Sequence, residues 1–109
     1  MKTSTVSAFA LFVSMFMGTI AQAQDYVLTI KNHQFSPKEL AVPAGQKVRV
    51  IVKNQDATPA EFESSDLNRE KVVSANSEII LFIGPLDPGR YVFFDDFHRE
   101  TTTGVLIAK

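Results

Sequence analysis

Asp95, Asp96, His98 and Glu100 place three carboxylates and one imidazole within six residues, inside the polar segment 95–103 (DDFHRETTT). A second acidic pair, Glu61 and Glu63, brackets Phe62, and a second imidazole, His33, stands in an early loop. Carboxylate oxygens are hard donors and imidazole nitrogen is intermediate. Together they suit Fe(II), Fe(III), Mn(II), Zn(II) or Cu(II) better than Cu(I). A facial triad needs two His, and this loop supplies one. The plainer reading is a solvated acidic turn, with Glu61 and Glu63 paired to Lys53, Arg69 or Lys71. Such surface pairs contribute roughly 0–1 kcal/mol each. His33 reads on position alone as a surface residue.

Several other chemistries are excluded. The chain has no Cys, and its three Met are Met1, Met15 and Met17, all near the amino terminus. Beyond residue 17 there is neither thiolate nor thioether, so soft ligands for Cu(I) are missing. No Ser, His and acid stand in a recognisable nucleophile motif, and no hydrolase or transferase signature appears. The formal charge of −1 carries no basic excess of the kind nucleic-acid binding needs.

Residues 1–23 read as a cleaved export signal. Lys2 gives a positive start, residues 8–20 (AFALFVSMFMGTI) form an apolar run, and Ala21-Gln22-Ala23 supplies small residues before a cut. The run is shorter than the roughly 20 apolar residues a membrane-spanning helix needs. Cleavage after Ala23 leaves one domain, residues 24–109, with no membrane insertion and the periplasm as its compartment. Without Cys, packing and strand pairing must hold it together.

Short strands position the candidate residues. Residues 25–31 (DYVLTIK) alternate, with Tyr26, Leu28 and Ile30 on one face. Residues 47–54 (KVRVIVKN) are the clearest strand, with Val48, Val50 and Val52 facing one way. Further extended pieces are expected at 40–42, 61–64, 71–73, 78–83, 90–94 and 104–108, and one helical turn at 65–70. Phe35, Tyr91 and Phe93 are expected in the core, with Phe94 and Phe97 beneath the loop. About seven short strands with turns about every 8–12 residues predict an all-β Greek-key sandwich. The loop 95–103 then lies at one end of the sandwich, where small domains usually bind.

The chain resembles the cupredoxins. The resemblance rests on Phe35-Ser36-Pro37, Val42-Pro43-Ala44-Gly45, the Val-rich strand ending in Asn54, the GPLDPGRY run at 84–91 and Gly104-Val105-Leu106-Ile107. It covers nearly all of residues 24–109. Blue-copper members carry Cys, His and Met in the last loop and one His upstream. Here Asp95 stands at the Cys position, His98 keeps the His, Thr102 or Thr103 stands for the axial Met, and Ala60 for the upstream His. The resemblance therefore implies no type 1 blue copper. The runs NQDATP at 54–59, EFES at 61–64, REKVV at 69–73 and FDDFH at 94–98 are similar to small periplasmic cupredoxin-like proteins that accompany bacterial high-affinity iron permeases.

That similarity implies a metal-binding accessory of ferrous iron uptake. It would bind iron, or copper, and assist Fe(II) oxidation or delivery, a ferroxidase-type role exercised with partner proteins. Glu61, Glu63, Asp96, His98 and Glu100 are the ligands it implies, with Asp95 and His33 as additional candidates. The implied partners are an inner-membrane iron permease and a periplasmic iron-binding protein; a homodimer sharing a site is compatible with so few His. The alternatives are a metal-free interaction module of the same fold and, against the lack of Met and Cys, a copper carrier.

Overall fold

Alternation in β4 (Val48–Asn54) explains the middle of the molecule: Val48, Val50, Val52 and Asn54 are buried while Arg49, Ile51 and Lys53 lie half-buried on the other face. The computed structural model describes residues 24–109, so the export signal expected at 1–23 falls outside the described residues. β1 (Asp25–Lys31) runs parallel to β4, and β7 (Ser77–Ile83) lies antiparallel on its other side. β2 (Gln34–Ser36) folds back on β1 to complete a four-stranded sheet in the order β2-β1-β4-β7.

The second sheet has five strands in the order β3-β9-β8-β5-β6. These are β3 (Glu39–Val42), β5 (Ala60–Ser64), β6 (Arg69–Val73), β8 (Gly89–Asp95) and β9 (Thr103–Ala108). β3 and β9 are parallel and the other pairs antiparallel. The fold is thus an all-β two-sheet sandwich of nine strands rather than about seven. The one strand without a counterpart among the expected extended pieces is β2, whose three residues are too few to show a period. Residues 65–68 form a turn rather than a helical turn. Asn68 N–H donates to Ser65 O at 3.1 Å, and Asn68 takes φ 56°.

Three phenylalanines hold the site-bearing strands to one another. Phe35 of β2, Phe62 of β5 and Phe93 of β8 are at most 2% exposed. The Phe62 and Phe93 rings stack at 5.2 Å, and Phe35 meets Phe93 edge-on at 4.9 Å. Offset and edge-to-face contacts of this kind add about 0.5–1.5 kcal/mol each beyond the area they bury. Gly104 makes room for them, since a Cβ there would lie 2.6 Å from the Phe93 ring. Tyr91 is only partly buried, Phe94 is half-buried, and Phe97 is 50% exposed rather than beneath the loop.

Candidate metal centre

Asp95 ends β8 two residues after Phe93, so its side chain points to the same inner face. It is 1% exposed. One carboxylate oxygen, Oδ1, accepts the N–H of Glu61 at 2.9 Å and of Phe97 at 3.0 Å. The latter bond caps a single 3-10 turn, Asp96–His98. The other oxygen, Oδ2, lies 3.0 Å from His98 Nδ1. An ionised carboxylate only accepts hydrogen bonds, so it favours an Nδ1 proton facing it and leaves Nε2 pointing away from Asp95.

His33 reaches the same place from the other sheet. Residues 32 and 33 are the two-residue turn between β1 and β2, with φ 53° and 55°. Positive φ at both positions is the signature of a type I′ hairpin turn. Asp56 holds the turn down, its two oxygens accepting the N–H of Asn32 at 2.7 Å and of His33 at 2.9 Å. Buried Asn54 positions Asp56 by accepting its N–H at 3.0 Å, while its amide nitrogen donates to Thr58 O, Val73 O and Ser74 O. Burial alone would raise the Asp56 pKa. The two backbone donors and the nearby His33 and His98 outweigh it and hold that carboxyl below its usual range. His33 Nδ1 stands 3.6 Å from Asp56 Oδ2, and Thr102 Oγ1 donates to His33 O at 2.7 Å. The result is a pair of half-buried imidazoles, ring centroids 4.0 Å apart and tilted by 33°.

A second group of donors lies on the outer face of β5. Glu61, Glu63 and Glu70 each offer an oxygen within 4.8 Å of the others. Glu63 and Glu70 are directly opposed across β5 and β6, an arrangement that repels. Desolvation, then the charges of Glu70, Asp96 and Glu63, push the Glu61 carboxyl above its usual range. Desolvation, Asp96 and Glu70 do the same to Glu63, with Arg99 working against them. Asp96, in the 3-10 turn, adds its charge to this cluster without being one of its three converging oxygens. Its own cation, Arg99, stands 3.8 Å away and stacks over Phe94 at 4.4 Å. Glu63 and Glu70 open onto a groove of about 220 Å³ shared with Ser65, Asn68 and Arg69.

The expected residues thus divide in two. His33, His98 and Asp95 meet at the tip; Glu61, Glu63 and Asp96 gather on the sheet face. Glu100 is exposed in the turn after His98 and joins neither group. Two participants went unnoticed in the sequence. Asp56 shows itself there only as the second acceptor after Asn54, and Glu70 only once the register opposes it to Glu63.

Comparison with known proteins agrees with this architecture. The profile named "Cupredoxin-like domain" matches residues 4–108. The chain belongs to the cupredoxin-like domain family. A Rickettsia prowazekii relative, the uncharacterized protein RP394, is 46% identical over 80 residues, which cover 73% of this chain and 64% of the relative's length. Among solved structures, auracyanin from Roseiflexus castenholzii superposes with a TM-score of 0.67 at 17% identity, over 81% of this chain and 99% of auracyanin. Amicyanin from Paracoccus versutus does so at 0.63 and 18%, over 82% of this chain and 85% of its own. The metal-binding domain of the Streptococcus pneumoniae Cu(I)-exporting ATPase CopA gives 0.70 at 11%, over 80% and 86%. At these identities the likeness is one of fold.

This cupredoxin-like domain cannot house the family's type 1 copper. The chain has no Cys, and Asp95, which the resemblance sets at the Cys position, has both oxygens engaged by Glu61 N–H, Phe97 N–H and His98. The Ala60 side chain at the upstream His position offers no donor and is buried. Thr102 spends its hydroxyl on His33 O.

Proposed function

We propose that this domain is a periplasmic metal-binding accessory of ferrous iron uptake, holding iron at Glu61, Glu63, Glu70 and Asp96 for delivery to an inner-membrane iron permease. The observation that carries the reading is the oxygen cluster of Glu61, Glu63 and Glu70, with Asp96 beside it. Opposed like charges weaken a sheet, and a di- or trivalent cation among them converts repulsion into attraction. Oxygen donors of this kind favour a hard ion, Fe(III) above Fe(II). Such a site lowers the Fe(III)/Fe(II) potential and eases the loss of one electron to an external acceptor such as dioxygen. The permease, a periplasmic iron-binding partner and the compartment are suggested by the resemblance of segments 54–64, 69–73 and 94–98 and by the export-signal reading of residues 1–23. A metal-free interaction module is the second reading, favoured by Phe97, a large apolar side chain half exposed in the 3-10 turn next to Asp96.

Anaerobic calorimetric titration with Fe(II), and with Mn(II) as a redox-inert stand-in, tests the proposal. One ion per chain is expected for the wild type, lost in Glu63→Gln combined with Glu70→Gln. A folded protein that takes up neither ion at micromolar concentration sinks the iron reading and leaves the interaction module.

A further inference from the structure

We propose that β7 is a docking edge for a second copy of this chain, the two β7 strands pairing antiparallel about a two-fold axis at Ile80. The sheet edges differ in how they are protected. β2 has three residues and β3 four, while β6 carries Arg69, Glu70 and Lys71. Short length and charge are common ways to keep an edge from pairing. β7 (SEIILFI) has neither protection, with seven residues, Glu78 as its one charged side chain and no Pro. Its register with β4 runs one to one from Ser77 to Ile83, so no bulge bends it away.

The outward backbone groups suit such a pairing. Arg69 Nη2 donates to Phe82 O at 2.8 Å, so this carbonyl lies on the side away from β4. In an antiparallel ladder the N–H and C=O of one residue point to the same side, and the side alternates along the strand. Those of Ile80 and Glu78 therefore face outward as well. Two copies centred on Ile80 exchange both hydrogen bonds at that residue.

The side chains obey the same axis. Val27 of β1, Ile51 of β4 and Ile80 of β7 are register partners and form one apolar row across the outer face of the sheet. Val27 is 40% and Ile80 39% exposed. The two-fold continues this row into the second copy.

Charge complementarity selects a second copy as the occupant. Glu78 stands near one end of β7. Although Lys53 is its neighbour on β4, it enters none of the ion pairs among the described residues. Arg69 stands at the other end, on Phe82 O. Pairing about Ile80 sets Glu78 of each copy opposite Phe82 of the other, beside the arginine that caps that carbonyl. Arg69 then exchanges the carbonyl for the carboxylate, and the carbonyl accepts the N–H of Glu78 of the second copy. The assembly closes at two copies, because the edges left on the enlarged sheet are the three-residue β2 strands.

The test is sedimentation equilibrium of residues 24–109 from micromolar to millimolar concentration, with circular dichroism to follow the fold. The wild type is expected to pass from monomer to dimer. Ile80→Lys sets like charges face to face on the axis and is expected to leave a folded monomer. Glu78→Arg and Arg69→Glu are each expected to weaken the dimer about tenfold, and the two together to restore it. Restoration is a result that general damage to the fold would not give. A wild type that stays monomeric overturns the proposal and leaves the edge to an extended strand of a different protein. Growth beyond two copies, a dimer that survives Ile80→Lys, or a charge reversal that restores nothing overturns it equally.

Discussion

The tip and the outer sheet face solve opposite electrostatic problems within one turn of chain. At the tip every charge has a fixed partner: Asp95 accepts two N–H groups and an imidazole, and Asp56 accepts two N–H groups beside another. On the face, Glu61, Glu63 and Glu70 confront one another, with Arg99 working against the repulsion at Glu63. Satisfied polar networks rigidify a structure, whereas confronted like charges store repulsion that a cation can relieve. A satisfied network and an unneutralised oxygen cluster respond to different changes, so each half can be broken without the other.

Asp95→Ala should have the largest effect. It leaves the Glu61 and Phe97 N–H groups without acceptors in a buried setting, at about 1–3 kcal/mol for each group. A loss of about 3 kcal/mol in urea unfolding is expected. Asp95→Asn should recover most of it, because its carbonyl can still accept both N–H groups. If Asp95→Ala unfolds at the wild-type denaturant concentration, the tip is not held by this carboxylate and the contrast fails.

Asp56→Ala should cost about 2 kcal/mol, since hydrogen bonds to a charged acceptor contribute more than neutral ones. The pH dependence follows from the lowered pKa. A carboxyl that is more acidic in the folded state contributes stability above its unfolded pKa, near 3.8, and loses it as pH falls through the folded value. Wild type and Asp56→Ala should therefore converge in stability as acid protonates Asp56. Unfolding curves at graded pH check this. A gap that stays constant into strong acid would show that Asp56 acts through packing rather than charge.

The sheet was more legible in the residues than the site. Alternation at Val48, Val50 and Val52 and at Leu28 and Ile30 announces two buried strands, because the period of a strand appears in each residue's polarity. The loop at 95–103 was also legible as a polar end of the sandwich rich in acids. His33 was an additional candidate by resemblance only and read on position alone as a surface residue, because its placement depends on a hairpin only three residues long on its far side and on a ring 65 positions away. Asp56 and Glu70 were hidden for the same reason. One acts by capping a turn 23 and 24 positions upstream, and the other by strand register. Local pattern reports burial; it does not report which acids confront and which are satisfied.

The smallest effect separates the two regions most directly. Glu61 and Glu63 have raised pKa values, the reverse of Asp56. A carboxyl less acidic in the folded state favours folding while it is protonated, so its contribution is present below the unfolded value, 4.5, and is lost as pH rises through the higher folded value. Without metal, the face should weaken the domain slightly as pH climbs through the range just above 4.5, where the tip gains strength or is already saturated. Glu63→Gln removes one of the confronted charges and should raise the urea midpoint modestly at neutral pH, with the gain shrinking as acid protonates the wild-type group. Added Mn(II) should reproduce that gain in the wild type and not in the variant. A Glu63→Gln protein less stable than wild type at neutral pH would mean that the carboxylates are paired rather than opposed, and the division between a satisfied tip and a repelling face would fall.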